Sequence, residues 1–432
     1  MRVRKKHRGS VIVIALWALG IAAIVTSSIQ IFAQRQALQG IEVRDRIQAR
    51  WAARAGVEST IAVMSDHTLR PVAGDSFAMV TEMEYVATGK AGIATWDIRH
   101  HVEGQDWAGP LDEHSKFNIN SDEDSIFILV IDDLAFGVLE AIQDWKDEDD
   151  EPRTLGVERD YYTSLQTSYE PRNGLIRSIP ELELIAGVMP DDVRGEDWDL
   201  DNRIDPNEDD GGDSLPWDEP DGYLMGGWAS MLTTSSVDGG ATESGEPRMN
   251  LKTIDLETIQ FRLGVDPFQA EALQNYAQTD GAELSTLLTQ TLRTLSGNAE
   301  GVTNLNEEQL RMVFNECMLY DQFEAPPGRI NINTVSSELL YRLFPERNRL
   351  VEELLYLRAQ NAGGISNPAD FLAIPGIEPS MVQFLTSLFD TKSNVYTISS
   401  VGKAEGSGIE QEIIAIVDRS TIPVTILEYR EQ

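Results

Sequence analysis

The sequence predicts an α+β protein in which a long N-terminal helix leads into an antiparallel sheet, and a large helical domain interrupts that sheet. Two observations carry this prediction. An uncharged N-terminal run continues without proline into an amphipathic stretch of helical spacing. Strand-like alternation lies on both sides of a long helical and loop-rich region, at 93–104, 394–401, 409–418 and 422–428.

Composition excludes several classes of protein. The 432 residues hold 35 basic and 71 acidic side chains, a net charge of −36. Such a chain is repelled by phosphate backbones, because non-specific nucleic-acid affinity comes from Lys and Arg. One cysteine excludes a disulfide framework and any multi-thiolate metal site, and five scattered histidines leave little material for zinc.

The N-terminus has the charge pattern of a membrane segment. Residues 1–9 are basic without an acid, and 10–33 carry no charge. As a helix this run is about 36 Å long, enough to cross a hydrocarbon core of about 30 Å, and the positive-inside rule keeps 1–9 cytoplasmic. Three interpretations compete: a cleaved secretory signal, a plain signal anchor, and a prepilin leader (1–9) cut between Gly9 and Ser10. A secretory signal needs a shorter apolar run.

The rest of the chain divides by pattern. Residues 34–66 are predicted to be the amphipathic half of the N-terminal helix, followed by a sheet domain over 67–110 and 390–432. The inserted helical domain covers 111–389 and includes an acidic, loop-rich segment over 191–247. Its predicted helices are 124–145, 176–188, 251–263, 267–277, 282–296, 306–319, 335–344, 348–360 and 367–389.

Three segments of the insertion resemble one another. Each contains a short extended Asn-containing stretch followed by an amphipathic helix, at 112–120, 247–253 and 328–334. Asn side chains satisfy backbone groups where an extended chain turns into a helix, so the predicted role is structural.

Two further stretches resemble helix-hairpin-helix (SAM-like) units, at 169–187 and 351–377. Elsewhere this module binds phosphates through backbone amides at a Gly hairpin. In a chain of net charge −36 we expect these units to serve packing rather than DNA binding.

Taken together, these segments resemble the minor pseudopilin K family of type II secretion systems (general secretion pathway protein K). The resemblance covers roughly 1–190 and 325–420. Its motifs are a Lys-led Asn-x-Asn segment at 116–120, Asp144-Trp-Lys-Asp-Glu-Asp-Asp150, Tyr161-Tyr162, Arg172-Asn-Gly174, Arg329-Ile-Asn-Ile-Asn-Thr334 and Thr391-Lys-Ser-Asn394. Most pilin-like proteins carry Glu five residues into the mature chain; here that position is Ile14, and the K type typically lacks the Glu.

The resemblance implies a structural tip subunit of the periplasmic pseudopilus, not an enzyme, that takes part in protein export across the outer membrane. It implies cleavage by prepilin peptidase, a single-pass inner-membrane anchor with a periplasmic body, and contacts with other minor pseudopilins, the major pseudopilin and the inner-membrane assembly platform. Two alternatives stay open: a membrane-anchored calcium-binding scaffold, and a DNA-uptake pseudopilin that uses its hairpin modules.

Acidic residues concentrate where a calcium site is predicted. Residues 197–208 fit the loop pattern D-x-[DN]-x-[DN]-G-x5-E, with Asn202 at the turn normally taken by Gly. The candidate ligands are Asp197, Asp199, Asp201, Asp205 and Glu208, with the carbonyl of Arg203 at the seventh position. A solvated acidic loop is the competing interpretation, because eight of the fifteen residues 196–210 are acidic.

A second candidate calcium site comes from the resemblance, since the K family binds calcium in its helical domain. Its candidate ligands are Asp147, Asp149, Asp150 and Glu158. Enzyme interpretations find no support in the sequence, because it contains no Ser/His/Asp order, Gly-rich phosphate loop or H-E-x-x-H helix. Cys317 is predicted to be a buried small hydrophobe inside helix 306–319.

Overall fold

The computed structural model describes residues 10–72, 74–131, 134–242, 246–321 and 325–432, apart from the side chain of Ser10. Gly9, the last residue of the predicted leader, lies outside the described residues. The fold is α+β, with one long helix, one antiparallel sheet and an inserted helical domain, as the sequence predicts.

Helix α1 extends without interruption over Ser10–Leu69, because no proline occurs before Pro71. Its first part includes an 18-residue window of mean hydropathy 2.3, none of it buried. This is one helix long and apolar enough to serve as a single-pass membrane anchor. Its last part buries small side chains against the sheet. The contact is so close that a Cβ on Gly402 would lie 1.8 Å from the carbonyl oxygen of Ala49.

The main sheet joins strands from both ends of the chain. Its order is β1-β2-β11-β12-β13, with β3 pairing with β2 and β4 with β11, all antiparallel. The bounds are β1 Thr88–Ala91, β2 Ala94–Val102, β3 Gln105–Ala108, β4 Leu111–Asp112, β11 Val395–Ala404, β12 Glu410–Asp418 and β13 Thr425–Glu431, with helix α2 at Ala78–Val86. The prediction of one sheet interrupted by a long insertion is therefore confirmed.

The insertion consists of three units, each closed by two short parallel strands. The first unit lies between β5 Phe117–Asn118 and β6 Leu232–Thr233. The middle unit lies between β7 Met249–Asn250 and β8 Cys317–Met318, and the third between β9 Ile330–Asn331 and β10 Phe389–Asp390. One hydrophobic core is shared by the first and third units, whereas the middle unit has its own.

The helices of the insertion are shorter than predicted in several places. The first unit has α3 Asp124–Val130, α4 Val138–Lys146, α5 Arg159–Ser164 and α6 Pro190–Arg194; the middle unit has α7 Leu256–Leu263, α8 Pro267–Ala277, α9 Leu292–Leu295 and α10 Glu307–Glu316; the third has α11 Ser337–Leu343, α12 Asn348–Gln360 and α13 Pro379–Leu388. The predicted helix 124–145 is broken before Gly137, whose φ of 86° an α-helix does not accommodate.

Three other predicted helices are wrong as continuous elements. The stretch 176–188 contains only a 3₁₀ helix over Ile179–Leu184, so the predicted hairpin unit at 169–187 lacks two α-helices. The stretches 282–296 and 367–389 each divide into a 3₁₀ turn and an α-helix. Cys317 is buried as predicted, but it begins β8 after the helix has ended.

The predicted role of the Asn segments is confirmed by their hydrogen bonds. In all three units the first Asn accepts, through Oδ1, the backbone N–H two residues later. These Asn residues are Asn118, Asn250 and Asn331.

In the outer units a second Asn clamps a distant loop. Asn120 accepts the N–H of Ile176 and donates to its carbonyl, at 2.9 and 2.8 Å. Asn333 forms the same pair of bonds with Ile365, at 2.8 and 2.9 Å. The middle unit has Lys252 at this position, so the equivalent clamp is missing there.

Candidate functional site

The predicted calcium loop follows α6 and is folded around its own carboxylates. Asp197 accepts the N–H groups of Asp201 and Asn202. Glu208 accepts those of Trp198 and Asp205. Asn202 takes the left-handed conformation at φ 58°, as expected of the residue that replaces the turn Gly.

Four of the predicted acids converge on two adjoining clusters. Ligand atoms of Asp197, Asp199 and Glu208 lie within 4.8 Å of one another, and so do those of Asp199, Asp201 and Glu412. Asp199 belongs to both clusters, so the two candidate positions share a carboxylate. Glu412 lies on β12, more than 200 residues along the chain, and nothing in its local sequence indicates this role.

The remaining predicted ligands take other positions. Asp205 is outside both clusters, although burial and then Glu412 raise its pKa. Arg203 donates its backbone N–H to Asp201, and its guanidinium contacts Asp97 on β2. The side chain of Arg203 therefore ties the loop to the sheet.

Burial makes the ionised form of these acids costly. Asp197, Asp201 and Glu208 are each at most 2% exposed. Burial and Asp199 raise the pKa of Asp197 to about 7; burial raises the pKa of Glu208 to about 8. Burial and the neighbouring Glu412 raise the pKa of Asp201 to about 11.

The clusters also contain unused ligand atoms. Asp199 Oδ1 and Asp201 Oδ2 are buried without a hydrogen-bond partner. Buried carboxylate oxygens without donors are costly unless a proton or a cation compensates them. A hard, oxygen-preferring cation such as calcium therefore fits the donor set.

The second candidate site has a different membership from the prediction. Ligand atoms of Asp144, Asp147 and Glu158 lie within 4.8 Å of one another. Asp149 and Asp150 are exposed outside this cluster, where they accept bonds from Glu151 N–H and from the Asn173 side chain. The sequence motif begins at Asp144, and the buried face of α4 could have indicated its inclusion.

This second cluster contains a protein cation. The guanidinium of Arg153 donates to Asp144 at 2.9 Å and also contacts Asp147. Both oxygens of Glu158 nevertheless lack a partner, and burial, with Asp144 next, raises its pKa to about 7. The backbone of Gly156 lies so close to Asp144 that an added Cβ would be 2.0 Å from Asp144 Oδ2.

The other motif residues of the first unit pack around this cluster. The rings of Trp145, Tyr162 and Tyr169 contact one another at centroid distances of 5.2–6.4 Å. Trp145 Nε1 donates to Glu181 at 2.9 Å, and Arg172 contacts the same carboxylate. The motif segments 144–150, 161–162 and 172–174 therefore pack together within the first unit.

On the apolar part of α1, Ile14 is 66% exposed. Its neighbour Ser10 begins this helix. The fold and the clusters together define a class: a pilin-like protein with an N-terminal apolar helix, an interrupted antiparallel sheet and an acidic helical insertion.

Comparison with known proteins finds similarity over part of the chain. Residues 128–195 match the family model for type II secretion system (T2SS), protein K. The type II secretion system protein K of Pectobacterium carotovorum subsp. carotovorum is 24% identical over 211 residues, which cover 44% of this chain and 61% of that protein. The chain thus spans about three fifths of this curated relative's length.

One solved structure is similar over most of the length of this chain. The crystal structure of the GspK–GspI–GspJ complex from the enterotoxigenic Escherichia coli type 2 secretion system contains a chain that is 12% identical, with a TM-score of 0.45. The similarity covers 92% of this chain and 99% of that one. The family match over the first unit confirms the resemblance seen in the motifs: residues 128–195 are similar to type II secretion system protein K.

Proposed function

We propose that this chain is a minor pseudopilin that forms part of the tip of a type II secretion pseudopilus and takes part in protein export across the outer membrane. The match of 128–195 to protein K carries this proposal. Its partners are other minor pseudopilins, as in the complex of the structural relative, together with the major pseudopilin and the inner-membrane assembly platform. Its role is structural rather than enzymatic.

The N-terminal half of α1 supports this placement. The apolar part is exposed and uncharged, so residues 10–33 anchor the chain in the inner membrane with the body in the periplasm. Ile14 offers no carboxylate to pair with a neighbouring subunit's N-terminal ammonium. The bulky insertion between the sheet strands leaves little room for a subunit above it, which suits a terminal position.

Processing by prepilin peptidase gives a direct test. Mass spectrometry of the membrane-inserted chain should find Ser10 as the first residue. A Gly9→Leu variant should keep residues 1–9 and fail to restore secretion in a strain that lacks the endogenous protein, whereas the unaltered chain restores it. An intact Met1 on the unaltered chain would contradict the proposal.

We also propose that the acidic clusters bind calcium and stabilise the insertion. The support is the pair of clusters that share Asp199, with buried oxygens that lack partners. Asp197, Asp199 and Glu208 would hold one ion, and Asp199, Asp201 and Glu412 a second. In the first unit, Asp144, Asp147 and Glu158 offer a further site. A bound ion supplies the positive charge that these carboxylates lack.

Chelation tests this role. The detergent-solubilised chain should melt several degrees lower in EGTA than in calcium, since a ligand at 100 times its Kd stabilises the folded state by about 2.7 kcal/mol. Magnesium, which demands a smaller octahedral shell, should replace calcium poorly. Coincident melting curves in calcium and in EGTA would refute the calcium proposal while leaving the secretion proposal standing.

A further inference from the structure

The loop over 209–226 presents large apolar side chains to solvent. We name this segment the tryptophan loop. Trp217 is 77% exposed, the highest value among the tryptophans of the described residues, and Leu215 and Met225 are 67% and 62% exposed. Single exposed apolar residues are ordinary, but Leu215 and Trp217 lie two residues apart on one loop.

Local hydrogen bonds fix the tip of this loop. The carboxylate of Asp210 accepts the backbone N–H groups of Gly212, Asp213 and Ser214. The Trp217 ring lies over Gly212, where an added Cβ would be 2.5 Å from the ring. Gly212 is therefore needed both for its φ of 94° and for the space under the ring.

The second half of the loop is tied to Glu196 in the body of the first unit. The carboxylate of Glu196 accepts the N–H groups of Glu219 and Met225, at 3.1 and 2.8 Å. The N–H of Glu196 in turn donates to the Met225 carbonyl at 2.7 Å. Trp217 is thus displayed from a pre-organised loop, which lowers the ordering cost of any complex it forms.

Charge restricts what can cover this surface. The tryptophan loop contains six acids and no Lys or Arg: Asp209, Asp210, Asp213, Asp218, Glu219 and Asp221. An anionic bilayer and a nucleic acid are repelled by these groups, and a second copy of a chain of net charge −36 is also disfavoured. A protein with basic residues around an apolar recess is complementary in both respects.

We propose that the tryptophan loop docks a protein partner whose surface has an apolar recess ringed by Lys and Arg, with Trp217 as the central anchor and Leu215 beside it. Aromatic anchors surrounded by a polar rim dominate the binding energy of such interfaces. The inference uses only this loop and its charges, and it does not depend on the secretion proposal.

The first experiment uses the full chain in its own cells. A photoreactive p-benzoylphenylalanine replaces Trp217, and a control carries it at Phe261, which is 88% exposed on α7 of the middle unit. The expected result is a protein adduct specific to position 217, whose cross-linked peptide is apolar and flanked by Lys or Arg. No adduct, or adducts only to lipid or to a second copy of this chain, would overturn the proposal.

The second experiment measures the affinity of the purified cross-linked protein for variants of the full chain. Trp217→Ala should weaken binding by about 30-fold or more, Trp217→Phe should retain most of it, and raised salt should weaken the unaltered complex. Asp218→Lys with Glu219→Lys should also weaken binding. Because the Trp217 side chain is 77% exposed, an unchanged melting curve is expected for Trp217→Ala. Equal affinity of the Trp217→Ala and unaltered chains would refute the role of the anchor.

Discussion

The acidic cluster of the first unit and the clusters of the 197–208 loop differ in how the repulsion between their buried carboxylates is compensated. In the first unit, the cluster of Asp144, Asp147 and Glu158 includes the guanidinium of Arg153. Within the described ranges, no Lys or Arg forms an ion pair with the carboxylates of Asp199 or Asp201 in the loop clusters. The first-unit cluster is therefore partly neutralised by Arg153, whereas the carboxylates of the loop clusters depend on a proton or on an added cation.

The pKa values follow the same division. In the loop clusters, burial and neighbouring acids raise the pKa of Asp199 to about 6 and that of Asp201 to about 11. In the first unit, burial and then Asp144 raise the pKa of Glu158 to about 7; both oxygens of Glu158 lack a partner, whereas Asp147 has one such oxygen. Arg153 is correspondingly held in its charged form, because Asp144 and Asp147 raise its pKa.

The largest expected effect is the loss of calcium stabilisation when a ligand of the loop clusters (Asp197, Asp199, Asp201, Glu208 and Glu412) is removed. Asp201→Asn and Glu412→Gln should each remove most of the loop's calcium stabilisation, about 2.7 kcal/mol at 100 times Kd, because each removes a ligand oxygen's charge. In EGTA at neutral pH, Glu412→Gln should be more stable than the unaltered chain because it removes a like charge, whereas Asp201→Asn should change stability little because burial and Glu412 already raise the pKa of Asp201 to about 11. Thermal melts in both conditions measure this crossover, and a variant less stable in EGTA as well would contradict it.

A somewhat smaller effect is expected when the cluster of Asp144, Asp147 and Glu158 loses its protein cation and so comes to resemble the loop clusters. Arg153→Met leaves the fully buried Asp144 carboxylate without its cation, and we expect a loss of about 2 kcal/mol in EGTA. This is below the 3–5 kcal/mol typical of buried pairs, because the Arg153 side chain is 42% exposed. Calcium should restore part of the loss.

Arg159→Met is the matched control for that variant. Arg159 pairs with Asp150 at 3.5 Å where both side chains are at least half exposed, so its removal should cost no more than about 0.5 kcal/mol. Urea unfolding in EGTA and in calcium compares the two. Equal losses for both variants would show that Arg153 does not neutralise the cluster.

The smallest effect concerns the acids that the sequence placed in the second site. Asp149→Asn and Asp150→Asn should change stability by less than about 0.5 kcal/mol and leave the calcium dependence intact, because both carboxylates are exposed and lie outside the cluster. Asp147→Asn is the positive comparison. If Asp149→Asn abolished the calcium-dependent gain in stability, Asp149 would have to be a ligand of this site.

Much of the architecture could be predicted because apolar residues recur with the regular spacing of strands or helices. Alternation located the strands that form the sheet, and apolar spacing located α8 at Pro267–Ala277 and α12 at Asn348–Gln360. The 3₁₀ turns were mistaken for helices because a short apolar run has the same pattern in both. The Asn repeats were visible because hydrogen bonds two residues apart are local.

The candidate sites, too, were predictable where they depend on local sequence and unpredictable where they depend on long-range contacts. The sequence by itself determined the long apolar helix, the interrupted sheet and the acidic loop that contains Asp197, Asp199, Asp201 and Glu208, since each depends on neighbours along the chain. Only the tertiary structure brought Glu412 to that loop and Arg153 between the acids of the first unit. Burial and long-range pairing decide whether an acid is a ligand, an ion-pair partner or a solvated side chain, and neither is encoded in local spacing.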